Sequence, residues 1–397
     1  MMDKTLTGVR VLDMSRWFAG PYAGTLLAQQ GAEVIRVERP SGEDERHFGP
    51  HAPNGESMLT MVTLQNRQGI TLNILSDKGK DLFHRLVRCS DVVLHSYVVG
   101  SEEAKLASYD ALKEVNPRII VGSVSGFGST GPYAQRPCFD TIAQALCGSM
   151  SYTGFPENPP TRSGVAWVDF STGCHLALGV MFALFHREKT GKGQAVEVAL
   201  LDVAVACVAG LAVAAEYKVS GYVRTRQGNA SYYTFTDCME AKDGWVMLGV
   251  TTNAIWRRFV RTIGRPEMID DPRFKDDTIR FRNRHIIHPI VHEWTSARTV
   301  DEIVETMEKA RIPCSRVNTT AEMVEDPQVR FREALVEMEY PNVGKVPLPG
   351  VAIKMSDTPG SIARRAPKPG ENNEEVYGTL LGVTPGELSQ LKAEGVV

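Results

Sequence analysis

The chain has 397 residues, a length that predicts two or three structural domains. Hydrophobic residues make up 43% and charged residues 23%, which is typical of folded globular proteins and excludes long disordered and collagen-like classes. The 44 basic and 47 acidic side chains give a net charge of −3, so the chain lacks the basic excess that binds nucleic acid, and we expect no nucleic-acid partner.

The first 200 residues alternate short β-branched runs with longer helical patterns, which is typical of a parallel sheet with crossover helices. The predicted strands are Val9–Asp13, Glu33–Glu38, Asp91–Leu94, Arg118–Val124 and Val196–Val198. The predicted helices are Gly20–Gln30, Lys78–Arg88, Tyr109–Val115 and Ser171–Glu188. Ligands bind beyond the carboxyl ends of such strands, so the loops at 13–21, 38–42, 94–100 and 124–132 are the expected location of a site.

The pattern changes after residue 218. A polar, arginine-rich stretch precedes a short strand near Gly244–Met247 and helices near Trp256–Ile263 and Val300–Lys309, which indicates a second, smaller domain. From residue 326 onward, proline and glycine are frequent until a last predicted helix, Pro385–Ala393.

Cysteine usage and the chain ends predict a cytoplasmic protein. The seven cysteines are an odd number without a C-x-x-C pair, which favours a reducing compartment and buried thiols. The first four residues form no apolar signal region, and the last residues carry no retention or lipidation signal. The longest apolar run, Val203 to Ala215, is shorter than the roughly 20 residues that span a bilayer, so it predicts a buried helix and no membrane association.

Two motifs suggest cofactors that the surrounding sequence disfavours. Gly126–Gly131 matches G-x-G-x-x-G, but Pro132 and Pro137 interrupt the helix that a dinucleotide site requires, so a loop whose backbone approaches some other ligand fits better. His285, His288 and His292 share one helix face, but no carboxylate motif accompanies them. We therefore expect a solvated histidine face and no metal site.

Asp169 lies between an apolar run and the start of a long predicted helix. One interpretation is an N-cap, in which the carboxylate accepts backbone hydrogen bonds. The other is a carboxylate nucleophile that the helix dipole keeps ionised and that free N–H groups surround. Spacing alone leaves the two interpretations open.

Taken together, these segments resemble family III CoA-transferases, the formyl-CoA transferase or carnitine-CoA transferase (CaiB/BaiF) family, over nearly the whole chain. The matching segments are Gly8–Asp13 with Ala19–Pro21, Gly31–Ile35 with Val37–Pro40, Asn116–Ile120, Gly126–Pro132, Phe139–Asp140 with Ala143–Ala145, Asp169, and Lys189–Gln194. The resemblance implies a large α/β, Rossmann-like domain with a parallel sheet, formed by residues 1–218 and completed by a return segment at 326–397. It also implies a linker and smaller α/β domain at 219–325, and an obligate, interlaced homodimer.

The resemblance implies that Asp169 is the catalytic residue. It would attack an acyl-CoA thioester and carry the acyl group as a mixed anhydride and CoA as an aspartyl thioester. Acyl-CoA and a carboxylic acid would be the substrates, with no permanently bound cofactor or metal. Glycine-rich segments are candidates for stabilising the oxyanion. Asp140 is expected either to position substrate or to cap a helix.

Further positions of the chain match CoA-contacting positions of that family. Leu75 and Ala104 stand where some relatives have basic side chains, and Lys105 is a candidate replacement. The expected CoA contacts are Phe18, Ala19, Arg39, Leu72, Ser96, Tyr97, Lys105 and Asp140.

Two alternatives share the implied fold. One is an α-methylacyl-CoA racemase, but Phe139 stands where those enzymes have a histidine, and phenylalanine cannot abstract a proton. The other is a non-catalytic acyl-CoA-binding protein, against which the retained Asp169 argues. Residues Arg226–Asn229 occupy the region where the formyl-CoA branch has a run of four glycines, which disfavours oxalate or formate and predicts that Gln227–Asn229 form a less mobile lid. The resemblance is strongest to transferases that use succinyl-CoA and short dicarboxylates, with Arg162 or Arg226 as candidates for the distal carboxylate.

Overall fold

The computed structural model describes residues Lys4–Val397. The absence of a signal region was predicted from the first four residues, and three of these lie outside the described residues. The strands are β1 Arg10–Met14, β2 Glu33–Glu38, β3 Gln68–Thr71, β4 Val92–His95, β5 Ile120–Ser125, β6 Ala195–Ala199, β7 Phe235–Ala241, β8 Gly244–Val250, β9 Cys314–Arg316, β10 Leu335–Tyr340 and β11 Gly344–Pro349.

The helices are α1 Ala19–Gln29, α2 Met58–Thr63, α3 Asp77–Arg88, α4 Glu102–Leu106, α5 Tyr109–Leu112, α6 Asp140–Leu146, α7 Ser149–Tyr152, α8 Trp167–Thr190, α9 Leu200–Gly210, α10 Val213–Ser220, α11 Thr252–Thr262, α12 Asp277–Arg282, α13 Arg284–Ser296, α14 Val300–Lys309, α15 Thr320–Glu325, α16 Pro327–Phe331, α17 Asn373–Leu381 and α18 Pro385–Ala393. Short 3-10 helices lie at Asp44–His47, Pro266–Ile269 and Pro272–Phe274.

A six-stranded parallel sheet with the order β3-β2-β1-β4-β5-β6 organises the larger of two compact units. This order reverses direction between β1 and β4, so the loops that follow these two strands diverge and open a crevice. The expected α/β class with a Rossmann-like parallel sheet is confirmed. The larger unit comprises residues 1–149, 163–221 and 327–397.

Successive side chains of a strand point to opposite faces of the sheet, so the strands contribute to two hydrophobic cores, one on each face. Val11, Val34 and Leu94 pack with α1 and α8, whereas Leu12, Ile35 and Val93 face the other core. The C-terminal residues complete this second core and protect edge strand β3. The Asn372 and Asn373 side chains accept hydrogen bonds from backbone amides of β3, and the Tyr377 hydroxyl donates to Thr71 O at 2.7 Å.

The smaller unit comprises residues 150–162 and 222–326, so residues 150–162, which the sequence placed in the large domain, cluster with it. An antiparallel sheet, β7-β8-β9, packs with helices around Trp256 and Phe259. Hydrogen bonds within this unit hold the segment Gln227–Asn229 in place. Gly228 N donates to Gly154 O at 2.9 Å, and the neighbouring Arg226 donates to the carbonyl oxygens of Phe155 and Pro156.

Helix α8 runs through the core of the larger unit. Gly173 brings it against the start of α1, since a Cβ at this position would lie 2.6 Å from Ala19 O. By length and apolar composition α8 could also cross a membrane, and so could the bent pair α9 and α10. The buried side chains Leu176, Val180 and Leu184 give a simpler reason for the apolar composition of α8, because a core helix has the same composition.

Two sequence predictions about burial are wrong. The run from Val203 to Ala215 is not one buried helix, because Ala212 adopts a left-handed conformation that separates α9 from α10, and Val205 and Leu211 are exposed in the single chain. The cysteines are not buried either, since three are exposed and four partly exposed. In both cases apolar side chains lie on the surface of the single chain, and composition does not distinguish such positions from the core.

Candidate active site

Two adjoining cavities open where the strand order reverses, at the carboxyl ends of β1 and β4. The outer cavity has a volume of about 510 Å³ and is lined by the loops after β1, β2 and β4 and by residues 72–75. The inner cavity, called the Asp169 cavity below, has a volume of about 300 Å³ and includes Asp169, Phe139 and Arg136. Arg16, Trp17, Ser96 and Tyr97 line both, so one elongated ligand can occupy the two cavities together.

Asp169 lies in the first turn of α8, and its position depends on Asp140, which begins α6. Asp140 Oδ2 accepts hydrogen bonds from the backbone amides of Val168, at 2.9 Å, and Asp169, at 3.2 Å. Its other oxygen accepts a hydrogen bond from Gln144 Nε2 at 2.5 Å, and Gln144 Oε1 accepts one from Ser163 N at 2.9 Å. Asp140 therefore caps α8 from another helix and fixes the backbone that carries Asp169.

This geometry corrects the N-cap interpretation of Asp169 and one premise of the nucleophile interpretation, the presence of free N–H groups. Asp169 is not the N-cap of α8, because that position is Ala166 and the carboxylate that accepts first-turn amides belongs to Asp140. Free N–H groups do not surround Asp169, because Asp140 already accepts two of those amides. Asp140, in turn, caps a different helix from the one it begins.

The protonation of Asp169 also differs from the prediction that the helix dipole keeps it ionised. Its exposed fraction is 9%. Burial, and then the negative charge of Asp140, raise the pKa of Asp169 to about 7. A carboxylate with this pKa is partly ionised at neutral pH and more basic than an exposed one, which suits a nucleophile or a general base.

An acidic segment after β2 surrounds the arginines of the outer cavity. Arg16 Nε lies 2.9 Å from Glu43 Oε2, and its Nη2 lies 2.5 Å from Asp44 Oδ2. Arg39 Nη2 lies 3.1 Å from Glu43 Oε2 and 3.1 Å from Asp44 Oδ1. The Asp44 carboxylate thus contacts both guanidinium groups, as a negatively charged oxygen of a bound substrate would.

The structure brings most of the sequence-predicted site residues to these cavities. Arg39, Leu72, Ser96 and Tyr97 line the outer cavity, as does Leu75, and Ala19 lines the Asp169 cavity with Ser96 and Tyr97.

The remaining predicted contacts lie elsewhere. Phe18 lines neither cavity; its ring lies 6.4 Å from that of Phe170. Lys105 lines a third cavity, of about 370 Å³, which shares Tyr97, Val99, Val124 and Ser125 with the Asp169 cavity. Asp140 acts on the backbone beneath Asp169 and does not line the Asp169 cavity.

Sequence reasoning missed three residues of the site: Arg16, Trp17 and Arg136. Trp17 has a φ of 65°, which is unusual for a large side chain, and its ring contacts Phe48 and Phe139 edge to face. No sequence pattern signals this conformation, although all three residues lie in or beside loops already chosen because they follow strands.

The glycine-rich loop after β5 does not lead directly into a helix, as the dinucleotide motif requires, because the next helix begins only at Asp140. Gly126 lines the Asp169 cavity, but Gly128 N donates to Ser125 Oγ and Ser129 N donates to Glu197, so these two amides already have acceptors. Between Lys4 and Val397, no group of three His, Cys, Asp or Glu side chains is arranged to hold a metal ion.

Comparisons with known proteins agree with this geometry. A sequence profile of CoA-transferase family III matches residues 6–373. The chain is 33% identical over 397 residues to the succinyl-CoA–D-citramalate CoA-transferase of Chloroflexus aurantiacus, covering 99% of this chain and 98% of that protein. It is 34% identical over 400 residues to the succinyl-CoA–L-malate CoA-transferase beta subunit of the same organism, with 99% and 98% covered.

Among solved structures, a CAIB/BAIF family protein from Brucella suis superimposes with a TM-score of 0.83 at 30% identity, covering 95% of this chain and 100% of that one. The match over the whole length includes both units, and it places the paired cavities on a fold already known in this family. The chain therefore belongs to CoA-transferase family III and is an enzyme that transfers CoA between an acyl-CoA and a free carboxylic acid.

Proposed function

We propose that Asp169 is the nucleophile of this transferase. The observation that carries the proposal is the placement of its buried carboxylate, with a pKa near neutrality, in a cavity that shares lining residues with a second cavity of about 510 Å³. A thioester in the Asp169 cavity would present its carbonyl carbon to this carboxylate. Phe139 occupies the position at which a racemase needs a base, and its ring has no proton-accepting group.

The proposed reaction exchanges one carboxylate for another without net proton transfer. An Asp169 oxygen attacks the thioester carbonyl, the C–S bond breaks, and CoA leaves as a thiolate. The thiolate then attacks the Asp169 carbonyl of the mixed anhydride, which releases the donor acid and leaves an aspartyl-CoA thioester. The acceptor carboxylate attacks this thioester to form a second anhydride, and the thiolate attacks the acceptor carbonyl, which regenerates Asp169.

The donor we propose is succinyl-CoA, and the acceptor a short dicarboxylic or hydroxydicarboxylic acid. Both relatives described above have succinyl-CoA in their names, with D-citramalate and L-malate as the second acid. The inner cavity of about 300 Å³ is of a size for such acids. CoA would lie in the outer cavity against Arg39, Leu72, Ser96 and Tyr97, with Leu75 at its edge. We propose no permanently bound cofactor or metal.

We further propose that the enzyme is a cytoplasmic homodimer without membrane association, and that its partner subunit covers apolar side chains left exposed on the single chain. Phe182 and Phe185 of α8 are 64% and 65% exposed, and Leu178 lies one turn before Phe182. Exposed aromatic side chains clustered on one helix mark a subunit interface more often than a solvated surface.

The dimer is tested by sedimentation. The wild type should sediment at twice the mass of one chain at micromolar concentration, and the double variant Phe182→Asp, Phe185→Asp should lose the dimer and melt at a lower temperature, because it buries two charges in the interface. A wild type of single-chain mass, or a double variant that still dimerises at the same concentration, would contradict this interface.

The nucleophile is tested by trapping the covalent intermediates. The enzyme is incubated with succinyl-CoA, quenched with hydroxylamine and digested. The peptide that contains Asp169 should carry a hydroxamate, because both the anhydride and the thioester of an aspartate react with hydroxylamine. Asp169→Ala should give no modified peptide, and Asp110→Asn, on an exposed helix, should behave as the wild type. Hydroxamate on another residue, or CoA transfer by Asp169→Ala, would refute the proposal.

A further inference from the structure

The Asp169 cavity contains one cation, Arg136, that forms no ion pair with a carboxylate among the described residues Lys4–Val397. Three side chains that are ionised or partly ionised at neutral pH line it: Arg16, Arg136 and Asp169. Arg16 is paired with Glu43 and Asp44. Arg136 forms no ion pair with any acidic side chain in the part of the chain that the structure describes, Asp169 included.

Arg136 is held by an aromatic ring in a way that leaves its hydrogen-bond donors free. Its guanidinium carbon lies 3.8 Å from the centroid of the Tyr133 ring, and its backbone N donates to Tyr133 O at 2.8 Å. The Tyr133 ring contacts Phe127 edge to face, at 5.7 Å between centroids. Stacking uses the face of a guanidinium, so the N–H groups on its edge remain available for a planar, bidentate partner.

Arg136 and Asp169 are in the same cavity but are not in contact. An ion pair with Arg136 would lower the pKa of Asp169, whereas burial and Asp140 raise it. Two unpaired groups of opposite charge on one cavity suit a substrate that carries a reacting carboxyl group at one end and a negative charge at the other.

The arginines suggested from the sequence are placed differently. Arg162 and Arg226 belong to the smaller unit and do not line the Asp169 cavity of the larger one. The Arg226 guanidinium donates to the carbonyl oxygens of Ser151, Phe155 and Pro156, so its donors already have acceptors.

We propose that Arg136 determines specificity for dicarboxylic acids by binding the carboxylate distal to the reacting one. The inference rests on the proposed function, because it assumes that the reacting carboxyl group is at Asp169. Binding of the distal carboxylate by a fixed guanidinium positions the reacting end and excludes acids that leave the cation unpaired.

The experiment compares two acids of equal length that differ at the distal end. Isotope exchange is measured between labelled succinate and succinyl-CoA, and separately between labelled butyrate and butyryl-CoA, so that each assay contains one kind of acyl group. For Arg136→Gln we expect kcat/KM for succinate exchange to fall on the order of 100-fold, which corresponds to the loss of a charge-assisted hydrogen-bonded pair. Butyrate exchange should change by less than about threefold, since butyrate makes no such pair.

Two further variants separate recognition from structure. Arg136→Lys should recover part of the succinate exchange, because it restores the charge without the bidentate geometry. Added guanidinium ion should rescue succinate exchange in Arg136→Ala and leave butyrate exchange unchanged. Arg88→Gln, at the exposed C-terminal end of α3, is the matched control and should resemble the wild type in both assays.

Equal losses with both acids, no loss with succinate, or a wild type that prefers butyrate would overturn the proposal. If the wild type exchanges succinate but not butyrate, the guanidinium experiment tests the proposal. Rescue of succinate exchange in Arg136→Ala by guanidinium would support the role of Arg136, and no rescue would refute it. Failure of the proposed nucleophile would be recognised separately, because the wild type would then carry no hydroxamate on the Asp169 peptide with either acyl-CoA.

Discussion

Asp169→Asn should lose CoA transfer and make the folded protein more stable at alkaline pH. The amide cannot form the anhydride, so we expect kcat/KM to fall on the order of 10⁴-fold or more. The gain in stability has a separate cause. Asp169 has a pKa of about 7 in the folded chain against an ordinary value of 3.8, so keeping its buried charge beside Asp140 destabilises the folded state at high pH.

The pH dependence of this gain follows from proton binding. Between about pH 4 and pH 7 the folded state holds the Asp169 proton and the unfolded state does not, so stability falls as the pH rises through this window. The penalty is on the order of 2 kcal/mol at pH 5 and 4 kcal/mol at pH 8, where it no longer grows. Asparagine has no charge, so its advantage over aspartate should follow the same course.

Thermal melts of both proteins at pH 5 and pH 8 check this expectation. The variant should melt several degrees higher than the wild type at pH 8 and by a smaller margin at pH 5. Asp110→Asn, whose side chain is exposed, should show little difference at either pH. An equal difference at both pH values would mean that the pKa of Asp169 is not raised, and retained transfer would mean that it is not the nucleophile.

Arg67→Met should destabilise the larger unit by about 3–5 kcal/mol, because it leaves a buried carboxylate without its nearest cation. Arg67 and Asp13 are both fully buried, and Arg67 Nη1 lies 2.7 Å from Asp13 Oδ2. The same guanidinium donates to Thr25 Oγ1 at 2.9 Å and to Pro21 O, which ties it to α1. Gly24 makes room for the pair, since a Cβ there would lie 2.8 Å from Arg67 Nη2.

Denaturant unfolding followed by circular dichroism measures this loss. Because Arg67 supports the first turns of α1, which begins at Ala19 in the Asp169 cavity, transfer activity should fall together with stability. Replacing Asp13 by Asn in the same chain should recover part of the loss, since no buried charge then remains unpaired. Lys113→Met, which breaks an exposed pair with Asp110, should cost at most about 1 kcal/mol. A loss of similar size in the two single variants would contradict the role assigned to the buried pair.

Several elements of both units could be predicted from local sequence. Strand β2 and helices α14 and α18 have the predicted bounds, and β1, α1 and α3 differ by one residue at their ends. In these segments hydrophobic periodicity and the flanking glycine, serine and proline residues all favour the same structure. The family also follows from the sequence, because its motifs are local and keep their order along the chain.

Prediction from the sequence failed where the structure depends on contacts between residues that are distant along the chain. The apolar run that begins at Val203 has the composition of a buried helix, yet the fold leaves most of its surface uncovered in the single chain. The backbone conformation of Trp17 depends on the rings of Phe48 and Phe139, which no local pattern specifies.

The chemistry of the site likewise depends partly on local sequence and partly on contacts between distant residues. The sequence alone determined that Asp169 begins a long helix after an apolar run and that loops follow the strands of a parallel sheet. Only the tertiary structure decided that Asp140, 29 residues earlier, caps that helix, that burial and then Asp140 raise the pKa of Asp169, and that Arg136 and Asp169 line the same cavity. Charge, burial and distance act through space, so residues far apart in the chain jointly set the position and the pKa of one carboxylate.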